Sequence, residues 1–321
     1  MIPEDIYLKI VRSAIKAPSG HNTQSWWFMK DDDCIWIMPD FIQSLPIADV
    51  DNRELYISQG CAAQNAIISS RFYGYSAELD IDVINEPCSI KIQLKKAEKV
   101  EDAELFSSIN LRQTTRNLYN DTPIPNDDLL LLKQSAVEPG IDIRFFIGPD
   151  EIEKLAPYIV EANAIQFNNS DFKNELIQWI RFSEKEALQK GNGLYTACSG
   201  LPSIGRTAGS FVMRHMMTAK REEKRLLKQL NKTATIAMFT TKENDIAHWI
   251  RLGMSFQRFA LTATMLNIKH GHLNMPCQVQ SVKEKMMIEQ DLDSTIPQLL
   301  IRMGYSKAMP YSLRKNIINF Y

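Results

Sequence analysis

Apolar and polar positions along this chain follow two periods, and the switch between them marks out most of its elements. Ile6, Ile10, Val11, Ala14 and Ile15 recur at helical spacing, so residues 4–17 predict a helix that Pro18 and Gly20 end. Two apolar, aromatic runs follow, SWWFMK and CIWIMPD, with Asp31 to Asp33 between them as a hairpin turn. Residues 53–74 predict a long apolar helix closing at Gly74, and the alternation in SAELDIDVINE and SIKIQLKKAE predicts strands. Further on, residues 126–138 predict a helix, IDIRFFIGP a strand, and 150–165 and 170–189 two helices. A loop rich in Gly, Ser and Pro is expected from about 191 to 209. Helices are expected over 210–231 and 244–267, with the strand TATIAMFTT between them and the strand QLLIRMGY last. The fold class this predicts is α+β with long helices.

The pattern repeats once. Gly60-x-x-x-Gln64 lies in one long helix and Gly253-x-x-x-Gln257 in another, and the helices end at Gly74 and Asn267. All three pairs are 193 positions apart. A looser echo links the helix and strand around Pro18 to those around Pro139-Gly140. Two echoes in the same order predict a duplicated unit and a chain that imitates a two-fold dimer. The expected organisation is one domain over residues 1–321, with a first half of about 1–105 and a second of about 106–321.

Composition narrows the function classes. The 321 residues are 45% hydrophobic and 23% charged, with a net charge of −1, so no strong overall field draws nucleic acid or an acidic membrane. The first residues, MIPEDIYLKI, carry acids and lack the basic and apolar regions of a signal peptide, and no apolar run approaches a membrane span. The cysteines, Cys34, Cys61, Cys88, Cys198 and Cys277, are odd in number and scattered, which fits reduced thiols in a cytoplasm.

Three short stretches carry candidate chemistry. In APSGHNTQSWWF, a turn at Pro18, Ser19 and Gly20 exposes backbone N–H groups and Asn22 adds an amide. That set suits a planar heteroaromatic ligand with carbonyl and imide edges, and equally a helix end whose polar groups satisfy one another. In NLRQTTRNLY, Arg112 and Arg116 flank Gln113, Thr114 and Thr115, a set that can surround a phosphate or simply start a solvated helix. The tail YSLRKNI adds Arg314 and Lys315. Other motifs fail. Gly191-Asn192-Gly193 follows a helix and lacks a third glycine, there is no GxxxxGK[ST] or G-x-S-x-G, and His270 and His272 have no metal-ligand partners nearby.

Taken in order, these segments resemble the nitroreductase superfamily. APSGHNTQSWWF resembles its Ala-Pro-Ser-x-x-Asn-x-Gln-Pro-Trp segment, most of all in the Acg-like branch of single-chain pseudo-dimers. DVDNRELYISQG resembles that branch's Asp-x-x-x-Arg-Glu segment, and LRQTTRNLY the superfamily's Arg-rich phosphate motif. LNMPCQV is similar to the loop beside the flavin, and IRMGYSKAMPYSLRKNI to the closing Gly-Tyr strand and its basic tail. Ser25, Trp27, Asn192 and Gln278 depart from the pattern.

The resemblance implies a nitroreductase-like fold of two fused, related halves and one FMN per chain at their junction. It implies that Pro18, Ser19, Gly20 and Asn22 meet the flavin ring, while Arg112, Gln113, Thr114 and Arg116 hold the phosphate. Arg314 would reach the phosphate from the tail, and Leu273, Asn274 and Met275 would lie along the ring, acting mainly through backbone. The expected activity is two-electron reduction of a nitroaromatic, quinone or similar small-molecule acceptor, with NAD(P)H as reductant. The alternative is an FMN-sequestering or sensing protein with little turnover. For that, residues 195–218, with Phe211, Met213 and Met216, would form a lid; they read equally as a surface loop leading into a helix. No metal, nucleic-acid or membrane partner is expected, and the chain is expected to be a monomeric pseudo-dimer or a weak homo-oligomer.

Overall fold

The computed structural model describes residues 2–98, 101–292 and 294–316. Ile317, the last residue of the tail segment singled out above, lies outside them. The chain builds two four-stranded antiparallel sheets of the same topology on either side of two crossed, buried helices. The first unit runs α1 (Glu4–Ala14), β1 (Trp26–Asp31), β2 (Cys34–Pro39), α2 (Arg53–Phe72), β3 (Tyr75–Asp82) and β4 (Ser89–Lys96), with sheet order β1-β2-β4-β3. A short helix, α3 (Ala103–Ile109), which the periodicity does not reveal, follows.

The second unit starts with α4 (Asn126–Ser135) and β5 (Ile141–Ile147). Where the first unit makes a hairpin turn, the second inserts α5 (Pro149–Glu153), α6 (Ala156–Asn168), α7 (Ser170–Trp179), β6 (Ile180–Arg181), α8 (Glu184–Lys190), β7 (Leu194–Tyr195), α9 (Arg206–Met216) and α10 (Ala219–Leu230). The core then resumes with β8 (Thr235–Thr241), α11 (Ile246–Met265) and β9 (Lys269–His272). It closes with α12 (Met275–Gln278), α13 (Gln280–Glu289) and β10 (Ile296–Gly304). The second sheet has the order β5-β8-β10-β9, the order of the first sheet with each strand replaced by its counterpart.

The two glycines of the sequence echo explain how the units meet. A Cβ on Gly60 would stand 1.9 Å from the carbonyl oxygen of Ile250, and a Cβ on Gly253 would stand 2.0 Å from that of Ile57. Ile57 and Ile250 are themselves 193 positions apart, so the contact is reciprocal, as across a two-fold axis. Bare backbone at these two positions lets α2 and α11 approach closely enough for Gln257 to donate to Asn65 at 2.7 Å inside the crossing. Both helices are buried almost all round, which is why neither shows a clean polar face in the sequence.

The helix expected over 150–165 breaks at Lys154 and Leu155, between α5 and α6, and two other predicted helices are broken as well. The helix expected over 170–189 stops at Trp179, and Ser183 starts α8 by accepting from the Glu186 N–H. The helix expected over 210–231 is split before Thr218, whose hydroxyl accepts from the Arg221 N–H. In both, an N-capping hydroxyl outcompetes continuation of the helix.

Candidate functional site

One cavity of about 720 Å³ lies where the units join, and all twelve residues singled out in the sequence line it. The turn after α1 forms one wall. His21, Asn22 and Gln24 all have positive φ, a conformation that side chains other than glycine rarely adopt, and three such residues together need support from outside. The Asn22 amide donates to the carbonyls of Gly193 and Leu313, both at 3.0 Å, and Gln24 donates to that of Gly191 at 2.8 Å. Gly193 has φ +79°, and a Cβ there would meet the Trp179 carbonyl oxygen at 2.4 Å, so only glycine lets this segment lie against the turn. Among the described residues nothing accepts from the N–H groups of Ser19, Gly20 and His21. They form a run of donors at the cavity wall, the arrangement that favours an anion or a carbonyl edge.

A cationic wall adjoins it. Arg112 is buried and donates to the Lys16 carbonyl oxygen at 3.2 Å, leaving Nε and Nη1 unpaired. Arg302, on β10, is buried over the Tyr119 ring and leaves Nη1 unpaired. Arg116 makes no side-chain hydrogen bond to any described residue. Burial lowers the pKa of all three, that of Arg112 to about 10. Buried guanidinium nitrogens without acceptors are costly, so their clustering in a cavity marks a place for an anion. The imidazoles nearby add no charge. Burial and the positive charge of Arg116 hold His21 down to about 4 and His272, with Arg112 adding to the effect, to about 3.

Away from the arginines the lining changes to amides around one carboxylate, with apolar side chains beside them. Asn274 and Gln278 both donate to Oε1 of Glu54, the latter at 2.8 Å, and Gln166 donates to Gln278 at 2.7 Å. Phe167, Phe172 and Leu176 complete this side. Glu175 of α7 accepts from the N–H groups of Ile47 and Ala48, both at 2.9 Å, and so clasps the inserted helices to the first unit. Beneath Glu54, Asp49 accepts from the N–H groups of Glu54 and Leu55; burial and the charge of Glu54 push its pKa up to about 7.

No family model matches the chain. Curated relatives from Mycobacterium tuberculosis do. "Putative NAD(P)H nitroreductase Rv3131" is 22% identical over 306 residues, 92% of this chain and 84% of that protein. "Putative NAD(P)H nitroreductase acg" is 21% identical over 315 residues, 96% of this chain and 92% of that protein. Among solved structures, the FMN-dependent nitroreductase NfnB from Mycobacterium smegmatis, in complex with NADPH, is 14% identical over 64% of this chain and 88% of that one, with a TM-score of 0.41. Over nearly its whole length the chain is thus similar to proteins named as nitroreductases.

The predicted residues divide by how their polar groups are used. Arg112, Arg116 and the backbone of Ser19 and Gly20 keep donors available, as do Asn274 and Met275, whose N–H groups no described residue accepts from. Pro18, Thr114 and Leu273 contribute surface. In three others the polar groups already have protein partners. The Asn22 amide is taken up wholly by protein, since its oxygen also accepts from Arg314 at 2.9 Å. Gln113 donates to the Met309 carbonyl and accepts from the Met309 N–H, so it fixes the tail. Arg314 donates to the carbonyls of Ile15, Lys16 and Ala17. These carbonyls follow the end of α1, where a cation also meets the negative end of the helix dipole, so Arg314 holds the turn in place.

The segment expected as a lid lies elsewhere. No residue of 195–218 lines the cavity; Gly209 packs on Phe182 and Phe211 stays 62% exposed. Residues of α6 and α7 line one side of the cavity. His21, Glu54, His272 and Arg302 belong to the site and were not singled out. Arg302 sits in an apolar strand, a buried charge where the alternation calls for none, and that was its only signal. Among the described residues no cluster of metal-ligating side chains exists and no helix is long and apolar enough to cross a membrane.

Proposed function

We propose that the chain is an FMN-dependent oxidoreductase of nitroreductase type, with NAD(P)H as reductant and a nitroaromatic, quinone or similar small molecule as acceptor. The observation that carries this reading is the buried guanidinium of Arg112, with two unpaired nitrogens, in a cavity that also presents the free N–H groups of Ser19 to His21. A phosphate on a planar ring with carbonyl edges satisfies both sets at once. FMN, when bound, supplies the two-electron chemistry. The chain supplies the rest. Arg112 and Arg116 bind the phosphate, Arg314 and Gln113 hold the turn and the tail in place, and Asn274 and Met275 present backbone donors along the ring. The histidines stay neutral and can donate or accept without adding charge.

In this reading the chain is an intramolecular pseudo-dimer with halves of about 1–105 and 106–321 and a single flavin at their junction. The nitroreductase names of the relatives, and the FMN and NADPH named for the Mycobacterium smegmatis protein, agree with the cofactors proposed. The five cysteines, all buried and free, agree with a reducing cytoplasm. A second reading, flavin storage or sensing, draws on the Glu175 clasp, which fixes α7 beside the amide-lined end of the cavity and would bar a nicotinamide. An anaerobic absorption spectrum of the FMN-loaded protein separates the two. Rapid bleaching of the oxidised band by NADH or NADPH is expected of the reductase. A band that persists until dithionite is added overturns it in favour of storage or sensing.

A further inference from the structure

The insertion that only the second unit carries places two amides on one face of α6. Asn163 is 2% exposed, lines the cavity, and has no acceptor for its Nδ2. Gln166, three residues on and so on the same face of the helix, lines the cavity as well. Its orientation follows from a chain of hydrogen bonds. The carboxylate of Glu54, beside the Arg53 guanidinium, accepts from the NH₂ group of Gln278. Gln278 therefore turns its oxygen to Gln166, and Gln166 must meet it with its own NH₂, at 2.7 Å. That leaves Gln166 Oε1 as an acceptor to which no described residue donates.

We infer that Asn163 and Gln166 form a reading pair for a planar ligand edge in which an N–H lies beside a C=O. The Asn163 NH₂ donates to the carbonyl, and the Gln166 oxygen accepts from the N–H. Each partner alone would tolerate many ligands; the pair selects an imide or amide edge and rejects one whose nitrogen is blocked. The inference rests on the proposed flavin site, where two molecules have such an edge: the pyrimidine ring of FMN and the carboxamide of a nicotinamide.

The test uses the full chain freed of flavin. FMN affinity is read by fluorescence quenching in the unaltered protein and in Asn163→Leu and Gln166→Leu, beside FMN methylated at its imide nitrogen. If the flavin edge is read, both variants bind FMN about tenfold more weakly, and the unaltered protein binds methylated FMN about tenfold more weakly than FMN. That second penalty disappears in Gln166→Leu. If FMN binds all three proteins equally but NADH, titrated anaerobically by its charge-transfer absorbance on the loaded protein, binds the variants about tenfold more weakly, the nicotinamide edge is read. The methylated ligand tests the unaltered chain, so a variant that folds poorly does not decide the matter. Unchanged affinities for FMN and NADH in both variants, with methylated FMN bound as tightly as FMN, overturn the inference and leave the flavin site standing. An unaltered protein that does not quench FMN overturns the flavin site and this inference with it.

Discussion

The turn at Pro18–Asn22 and the turn at Pro139–Gly140 leave corresponding helices, α1 and α4, and enter corresponding strands, β1 and β5. The first lines the 720 Å³ cavity, and the second does not. It holds three left-handed residues in place through Gly191, Gly193, Leu313 and Arg314, all brought by the second unit. At the second turn a Cβ on Gly140 would stand 2.8 Å from the His248 ring, so the first turn of α11 fills the corresponding space. The helix starts differ in the same sense. Asp49 serves α2 from a buried place beside Glu54, whereas Asp245 caps α11 half-exposed, accepting from the His248 N–H and facing its imidazole. A duplicated scaffold thus keeps its symmetric contact where backbone meets backbone and loses it where a loop insertion or one side chain decides whether space is left.

The central symmetry offers the largest effect. Gly60→Ala and Gly253→Ala each drive a Cβ into a carbonyl oxygen of the facing helix, which has no room to move. Each should cost about 3 kcal/mol or more. The pair should cost less than the sum, because once one substitution has pushed the helices apart the other is already accommodated. Urea unfolding measures all three proteins. A loss under about 1 kcal/mol for one glycine alone would break the reciprocity.

The asymmetry of the sites comes next. Arg112→Ala should weaken FMN binding by roughly 100-fold, from the loss of charge-assisted hydrogen bonds at about 1.5–3 kcal/mol each. Without flavin, the same variant should unfold no more easily than the unaltered protein, because it removes a buried charge that lacks acceptors. Opposite effects on binding and on flavin-free stability identify a ligand-binding arginine, and a parallel loss of both would identify a structural one. At the other turn, His248→Ala should cost about 1 kcal/mol of stability and leave FMN affinity unchanged. A loss of affinity there would show that the second turn still takes part.

The smallest effect is a matter of pH. The folded-state pKa of Asp49, about 7, lies above the ordinary carboxyl value near 4 of the unfolded chain. The folded protein holds this proton when the unfolded chain has lost it, so the contribution is complete below about pH 4 and is lost as the pH rises through 7. Asp49→Asn should therefore flatten the fall in thermal stability between pH 4 and 7, measured as the difference from the unaltered protein at each pH. An unchanged slope would place the proton elsewhere.

Much of this was legible in the chain. The 193-residue echo predicted a duplicated unit, and its glycines left that trace because the crossing of α2 and α11 demands bare backbone on both sides. The residues of the first wall and the cationic wall were legible because turn chemistry and paired arginines are local patterns. What those residues do was less so. Asn22, Gln113 and Arg314 have the donors of ligand-binding groups, and the fold turns them on neighbouring backbone because the end of α1 and the tail have orphan groups to satisfy. The insertion misled in another way. Its Phe and Met residues at 211–216 read equally as a lid or as a surface loop leading into a helix, since hydrophobicity gives no direction, and it is α6 and α7 that line the cavity.

The sequence by itself determined two related α+β units and the segments from which the site is built, since each depends on periodicity, turn residues or glycine at fixed spacing. Only the tertiary structure decided which junction stays open, which polar groups remain free within it, and that Glu54, through Gln278, turns the oxygen of Gln166 toward the cavity. These depend on contacts between residues far apart in the chain, where burial and hydrogen-bond satisfaction are settled by whatever packs alongside.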